Sequence, residues 1–499
     1  MRKLLKKVKI PLILILISIG LMIFGGIANH FNFYSSGPFN IVFFDAIIFA
    51  GLMFVGIFII LYIYLHDVVF AFSHKPQSNL KGKIKTLLRN ITVFIFALVI
   101  SLTSLLGVML SYYYTRPAPE FESPPFVGLN TWTAIPSGDQ LEKHHKSNTE
   151  LLYYNNSFWM VYQNSKWHLE DKNGELVVAW SPNALEGTWQ TVARIKVPGY
   201  DVRDPLLTVI NDTMFIYFLP NQQFDPEPEV TFWCKSKDGI IWTIPKLVTV
   251  NVSYGDGTWG SEWEWCFGRT EPITKDNITW YVMASGFKKF LRAQTILLET
   301  NDGINWKEVS VVYDAFYFEH YQGSEACLEF LPSGELISTI RVASMSDWTG
   351  YIFGTPHAGT IIAKSYDNLT KWSHSPDFQT RLDGARLFTV NNRTFAVGRN
   401  HLGPGLIGNH VGRKRTAVYE VKENRLIHLF DLPSNGDTAY TGVSVVNGIV
   451  YVSYYTNPIG HDLPWIVGLA FFSASEIRIA AFSAQGLVLY ANTQGGLIG

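Results

Sequence analysis

The sequence predicts an all-β fold, a six-bladed β-propeller, preceded by three transmembrane α-helices. Three observations carry this: a six-fold repeat between Ser147 and Tyr455, a very apolar first 113 residues, and tight Asp-containing turns that recur within the repeat. Each repeat is a short apolar strand, a polar turn and a second apolar strand ending in polar or aromatic residues. The copies read TELLYYNNSFWMVYQ from Thr149, RDPLLTVINDTMFIYF from Arg203, RTEPITKDNITWYVMASG from Arg269, SEACLEFLPSGELISTIR from Ser324, GARLFTVNNRTFAVGR from Gly384 and YTGVSVVNGIVYVSYY from Tyr440. Spacing of about 50 to 65 residues, against roughly 40 to 50 in common blades, marks a radial array of four-stranded blades. The expected order is a membrane domain over 1–113, a proline-rich spacer and propeller entry over 114–140, the propeller over 141–485 and a tail over 486–499.

In the membrane domain the apolar runs are Ile10 to Ala28, Ile41 to Leu65 and Ile91 to Tyr113. At about 20 residues each, they are long enough for a bilayer core of roughly 30 Å. No small-residue cleavage site follows the first run and two further runs do, so it reads as a span and not as a cleaved signal. Arg2, Lys3, Lys6, Lys7 and Lys9 precede the first span, and Lys75, Lys81, Lys83, Lys85 and Arg89 separate the second from the third, whereas the loop NHFNFYSSGPFN carries no Lys or Arg. Basic loops stay cytoplasmic. The expectation is therefore a multi-pass cell-membrane protein in contact with lipid through three spans, with a cytoplasmic amino terminus and an extracellular propeller. Sequons at Asn155, Asn211, Asn251, Asn277, Asn368 and Asn392 agree with export, while a seventh, Asn90, falls at the cytoplasmic edge of the third span. Asp45 lies inside the second span, as a functional polar site or as a helix-packing group.

The segment TRPAPEFESPPFVGLN from Thr115 reads as a semi-rigid spacer. Either Trp132 to Ile135 or the carboxyl-terminal strands close the ring, and the tail ANTQGGLIG is expected to fray. Cys234, Cys266 and Cys327 allow one disulfide but neither a disulfide-built scaffold nor a metal spacing. A formal net charge of −1 argues against a nucleic-acid partner.

The first strand of each blade lines the channel of a propeller, and its starting residues crowd one mouth. Those starts are His145 to Glu150, Arg203 with Asp204, Arg269 with Glu271, Glu325, Asp383 with Arg386, and Asp437 with Tyr440. Ionisable groups converging on a concavity are candidates for chemistry. The run WGSEWEWCF, from Trp259, is either a sugar-stacking wall or interblade packing, and Glu262 and Glu264 share one face of it if it is a strand.

Tight turns follow several repeats: SKDGIIW from Ser236, TNDGINW from Thr300 and the looser SYDNLTKW from Ser365. Asp caps backbone amides there, Gly permits positive φ and Trp plugs the space between blades. These segments resemble the Asp boxes of the sialidase superfamily, which are structural and lie away from the mouth. The resemblance sharpens in SEACLEFLPSGELISTIR, similar to the sialidase segment in which a glutamate opens the inner strand and an arginine ends the next, and in GDTAYTGVSVVNGIVYVSYY, similar to the segment with the tyrosine nucleophile. Glu325, Arg341 and Tyr440 match those positions. HKSNTEL from His145, DVRDP from Asp201 and GDTAY from Gly436 resemble segments of the bacterial and archaeal exo-α-sialidase-like group. The match runs over about residues 140 to 480.

What the resemblance implies is a mechanism in which three arginines grip a sugar carboxylate, a tyrosine attacks the anomeric carbon with a glutamate as its base, and an aspartate serves as acid/base. Guanidinium suits a carboxylate, and a neutral phenol is less repulsive than a carboxylate toward an anionic sugar. Tyr440 and Glu325 are the expected nucleophile pair, Arg341 is the leading arginine, and Arg399 or Arg415 is a second. The arginine of the first blade is missing, for Lys143, His144, His145 and Lys146 stand there, and Arg203 lies one repeat later. Asp171 or Asp225 is the acid/base. Arg203, Asp204, Arg269, His145, Glu150 and Asp437 complete the substrate-binding candidates, with Asp204 either catalytic or salt-bridged to its neighbouring arginine, and Arg386 a further binding candidate.

No Ser-His-Asp, phosphate-loop or zinc-type arrangement is evident among the 13 histidines, and no metal or cofactor is expected. The reading is a membrane-anchored, extracellular, sialidase-like exo-glycosidase that cleaves a terminal acidic sugar from a glycan. A glycan-binding or cell-surface propeller without catalysis, and an inverting glycosidase using carboxylates such as Asp204 and Glu325, are the alternatives.

Overall fold

The computed structural model describes residues 121–138, 144–168, 171–221, 230–253, 264–288, 292–316, 322–343, 358–402, 413–460, 465, 468 and 474–495. The three apolar runs and the sequon Asn90 lie outside the described residues. No helix among the described residues is long and apolar enough to cross a membrane.

Six sheets follow one another along the chain, antiparallel except for one added strand in the third. Blade 1 is His145–Tyr154, Ser157–Ser165, Glu175–Ser181 and Gln190–Ile195; blade 2 is Asp201–Ile210, Thr213–Asn221, Phe232–Ser236 and Lys246–Leu247. Blade 4 is Gln322–Phe330, Leu336–Ala343, Ala358–Tyr366 and Lys371–Asp377, and blade 5 is Asp383–Val390, Arg393–Leu402, Arg413–Val421 and Leu426–Leu432. Six clusters of buried aliphatic and aromatic side chains hold the sheets together, each shared by two successive blades and one of them joining blade 6 to blade 1. Strands buried on both faces explain the near-continuous apolar runs of the repeats.

Blade 6 settles how the ring closes. Its strands Asn435–Val446, Ile449–Asn457 and Glu476–Ser483 are carboxyl-terminal, and Asn130–Ile135 adds as the outermost strand, with Trp132 opposite Ile479. Both alternatives from the sequence are thus used in one sheet. The described part of the expected frayed tail, residues 491–495, instead belongs to the helix Ala484–Gly495, because Leu487 and Ala491 bury against blades 5 and 6 and Arg393 donates to Val488 O and Asn492 Oδ1; residues 496–499 lie outside the described set.

Blade 3 departs from the repeat. Its inner edge is two short strands, Glu264–Phe267 and Ile273–Thr274, both paired with Trp280–Lys288; Arg292–Thr300 and Asn305–Phe316 follow, and Thr249–Asn251 adds in parallel. Arg269 therefore emerges from a gap and does not open a continuous strand. Two causes are visible: Pro272 has no N–H for a ladder, and Gly268 is pressed so close to blade 4 that a Cβ would lie 2.2 Å from Ala326 O. Trp265 and Phe267 pack between blades 2 and 3, which resolves the described part of the aromatic run as interblade packing; residues 259–263 lie outside the described set.

The sequons have a conformational explanation. Asn155, Asn211, Asn277, Asn368 and Asn392 all sit in left-handed turn positions, with φ from 50° to 64°, where asparagine is the tolerated non-glycine residue. A β-forming Thr or Ser two residues on suits the start of the return strand. The three cysteines are free thiols, so the possible disulfide is not formed.

In the turn from Thr300, Asp302 Oδ1 accepts from the amides of Ile304 and Asn305, both at 2.8 Å, and Gly303 has φ +75°. Trp306 then packs against Phe267 and Tyr217. The turn from Ser236 repeats this with Asp238 and Gly239, whereas Asp367 in the looser segment accepts through its backbone carbonyl. Trp306→Ala should lower unfolding free energy by about 3–5 kcal/mol in urea titrations, and the half-buried Trp242→Ala by less than about half of that; equal losses would show that these tryptophans do not act through burial between blades.

Candidate active site

The inner strands of five blades share one irregularity. At Asn148, Asp204, Glu325, Gly384 and Tyr440 the register with the second strand slips, two residues opposing one, and the first of the two has φ between 45° and 55°. This is a β-bulge with a left-handed first residue, conformationally unfavourable for any side chain but glycine or asparagine. Three residues after each bulge a buried aliphatic anchors the strand: Leu151, Leu207, Leu328, Leu387 and Val443. The strand is thereby held while the bulged residue points elsewhere, and in blades 2, 4 and 6 that residue is Asp204, Glu325 and Tyr440.

These bulges converge. The Tyr440 hydroxyl donates to Glu325 Oε1 at 2.5 Å, and Arg341 reaches the same oxygen at 2.8 Å. Glu325 Oε2 accepts from the Gly384 amide at 2.8 Å, so the carboxylate is gripped from blades 4, 5 and 6. Arg399 donates to Thr438 O and Asp437 Oδ1, and its guanidinium lies 5.5 Å from the Tyr440 ring centre. Arg269 lies closer, at 4.7 Å, and none of its three buried guanidinium nitrogens has a hydrogen-bond partner among the described residues. Its nearest carboxylate oxygen is Asp204 Oδ1, 3.7 Å away.

Three guanidinium groups therefore surround one phenol. Burial raises the Tyr440 pKa well above that of an ordinary tyrosine, and the Glu325 and Asp204 charges push the same way. The phenol is neutral at neutral pH and needs a base to become nucleophilic. Asp204 is also raised, by burial first and then by Glu325, with Arg269 opposing; such a carboxyl keeps its proton to higher pH than usual.

Other expected residues fall elsewhere. Asp204 does not pair with Arg203; Arg203 is held by Asp201, two positions earlier on the same strand. Asp171 turns its carboxylate onto backbone amides, with Oδ2 accepting from Lys166 and Oδ1 from Asn173, as the cap of its own loop. Asp225 lies outside the described residues. Glu150 is buried and accepts from the Leu151 amide; burial raises its pKa against the charges of Arg386 and Arg269, and Arg386 itself is paired with Glu271. Arg415, on the third strand of blade 5, lies 5.0 Å from the Phe121 ring and donates to Lys414 O.

Asp437 organises the remaining wall. Its Oδ1 accepts from Arg399, from the Tyr455 hydroxyl at 2.9 Å and from Trp465 Nε1 at 3.0 Å, while Oδ2 lies 2.8 Å from His168 Nδ1 and 4.0 Å from His145 Nε2. Ligand atoms of His145, His168 and Asp437 all fall within 4.8 Å of one another, the one grouping among the described residues able to hold a metal ion. His168, Tyr455 and Asp201 were not singled out in the sequence. For Tyr455 a signal exists: Gln163, Leu219, Arg341, Arg399 and Tyr455 follow the bulges by fifteen or sixteen positions, all just beyond the residue each bulge opposes. For His168, in the loop between the second and third strands of blade 1, no periodicity points to it.

No family model and no curated protein matches the chain. Solved structures do. A protein of unknown function from Dyadobacter fermentans DSM 18053 superposes with a TM-score of 0.53 at 16% identity, over 71% of this chain and 99% of that one. Trypanosoma rangeli sialidase in complex with sialic acid gives 0.51 at 14% identity, and a mutant of it displaying trans-sialidase activity 0.53 at 13%, over 71% and 75% of this chain. The match spans 58% and 61% of those two sialidase chains. The likeness is one of fold: the described domain is a six-bladed β-propeller, similar in fold to these sialidases.

Proposed function

We propose that the propeller is a retaining exo-glycosidase for a terminal acidic sugar. The observation that carries this is the 2.5 Å hydrogen bond from Tyr440 to Glu325 beneath three guanidinium groups. A nucleophile within reach of its base is the geometry of covalent catalysis, and clustered guanidinium groups favour an anionic substrate. In this reading Arg269, Arg341 and Arg399 receive the sugar carboxylate. Glu325 takes the phenolic proton as the Tyr440 oxygen bonds to the anomeric carbon, and Asp204 gives its proton to the departing glycosidic oxygen. Asp204 then removes a proton from water, which attacks the same carbon; the phenolate leaves and recovers its proton from Glu325. Within this proposal Asp204 takes the role first given to Asp171 or Asp225, because Asp204 stands beside the nucleophile and keeps its proton.

The proposal includes an extracellular mouth anchored by the apolar amino-terminal runs, supported by the distribution of lysine and arginine around them. Protease added to intact cells should digest the propeller; protection there, with digestion only once the cytoplasmic side is opened, would reverse the orientation.

Tyr440→Phe and Glu325→Gln should each lower kcat at least about 100-fold on nonulosonic-acid glycosides, with fold and thermal unfolding retained. Glycan binding without turnover in the wild type would instead mark a lectin-like propeller. Asp204→Asn should cost about 100- to 10,000-fold in kcat/KM on sugars with alcohol leaving groups, and far less in kcat/KM on aryl glycosides that need no proton, where the glycosyl-enzyme should instead accumulate because water lacks its base. Wild-type turnover should fall as pH rises through the elevated Asp204 pKa, because the acid form is then lost; in Asp204→Asn that alkaline limb should vanish. Its persistence would assign the acid to another group.

A further inference from the structure

The structure assigns His145, His168 and Asp437 as a binding site for a divalent transition-metal ion of the zinc type. Each comes from a separate segment: His145 opens the inner strand of blade 1, His168 stands in the loop of that blade, and Asp437 precedes Tyr440 in blade 6. Their donor atoms lie within 4.8 Å of one another. Zinc binds imidazole nitrogen at about 2.0–2.1 Å and carboxylate oxygen at about 2.0–2.2 Å, so tetrahedral ligands stand about 3.4 Å apart. The separations to Asp437 Oδ2, 2.8 Å from His168 Nδ1 and 4.0 Å from His145 Nε2, fall on either side of that value. Bringing all three to ligand distance takes a change of about 0.6 Å in each of these separations, which requires a small turn of the His145 or Asp437 side chain as well as of His168.

The carboxylate is already oriented for this. Oδ1 is engaged by Arg399, Tyr455 and Trp465, which leaves Oδ2 directed at the two imidazoles. Donors that fix a ligating carboxylate through its other oxygen are the usual support of a metal centre. His145 and Asp437 are fully buried and the His168 side chain is 12% exposed, so the open side lies at His168, whose ring centre is 6.5 Å from that of Tyr440. Two nitrogen donors and one oxygen select against calcium and magnesium, which take oxygen ligands, and favour zinc or a neighbouring first-row ion. Three protein ligands leave a coordination position for water or an anionic group of a ligand. With Arg399 already beside Asp437, a dication makes this wall strongly positive, and an anion in the open position offsets that. The site supplies positive charge at the start of blade 1, where Lys143, His144, His145 and Lys146 stand and no arginine does. Metal binding itself is independent of the glycosidase reading.

The test uses the full chain, purified in detergent without a histidine tag, stripped with chelator and titrated with Zn2+ against a chromophoric competitor, then with Co2+ for its visible d–d bands. One tight equivalent is expected in the wild type, with bands typical of nitrogen and oxygen ligands. His145→Gln, His168→Asn and Asp437→Asn should each weaken that equivalent at least about 100-fold, with unchanged circular dichroism. Tyr455→Phe leaves all three ligands in place and removes one support of Asp437; it should weaken binding by about 10-fold or more and provides a second reading should a ligand variant misfold. Absence of a tight equivalent in the wild type, or equal binding by the wild type and all the folded variants, overturns the assignment and leaves a histidine hydrogen-bonded to an aspartate.

Discussion

The site depends on the left-handed bulge near the start of the inner strands. A regular strand sends successive side chains to opposite faces, both of which are buried against neighbouring blades in this ring. Inserting one residue per strand breaks that alternation locally and frees a single side chain to face the axis. Asp204, Glu325 and Tyr440 meet there because three blades make the same departure, and the aliphatic residue three positions later keeps each departure from spreading. The strained conformation is of order 1–3 kcal/mol at each non-glycine position. It is borne by the interblade cores and confers a fixed geometry on the Tyr440–Glu325 contact. At Gly384 the same bulge carries no side chain, and its amide grips Glu325 instead.

Charge in the mouth is arranged in layers. Asp201, Glu271 and Asp383 are occupied by Arg203, Arg386, and His401 with Arg381, respectively, which removes them from competition for a ligand. Arg269 differs, since burial deprives its nitrogens of water and no described group replaces it. Leaving buried donors unmade is expensive, and their most direct compensation is a bound anion. On blade 5, Lys414, whose amine meets His401 Nδ1 at 2.8 Å, is driven well below the usual lysine range, by burial first and then by Arg399 and Arg381.

How much of this could be read from the chain follows from what repeats. Glu325 and Tyr440 open their copies, so the repeat makes them visible, while their roles and that of Arg341 come from the resemblance of their segments to sialidase ones. Six blades and their order followed from the same periodicity. Arg269 was visible only as a residue, because the split strand around Pro272 and Gly268 comes from contact with the next blade. Asp171 stands in the first-blade loop where the resemblance puts the acid/base, a position that says nothing of the backbone amides that claim its carboxylate. His168 stands in an aperiodic loop and gains meaning only when blade 6 brings Asp437 to it. The sequons illustrate the converse: asparagine required by a turn and threonine favoured by the following strand reproduce a modification signal from backbone geometry.

The mixed composition of blade 6 also bears on how the molecule is made and loaded. Its outermost strand, Asn130–Ile135, emerges from the ribosome more than 300 residues before the strand Glu476–Ser483 that it pairs with. It waits unpaired through the synthesis of five blades, and a pairing of such sequence separation is of the kind that slows folding. Once closed, that strand connects the ring to everything amino-terminal of it. A pull on the spacer then loads its hydrogen bonds to Glu476–Ser483 before any other sheet, so the seam that completes the ring last is also the first to part under tension.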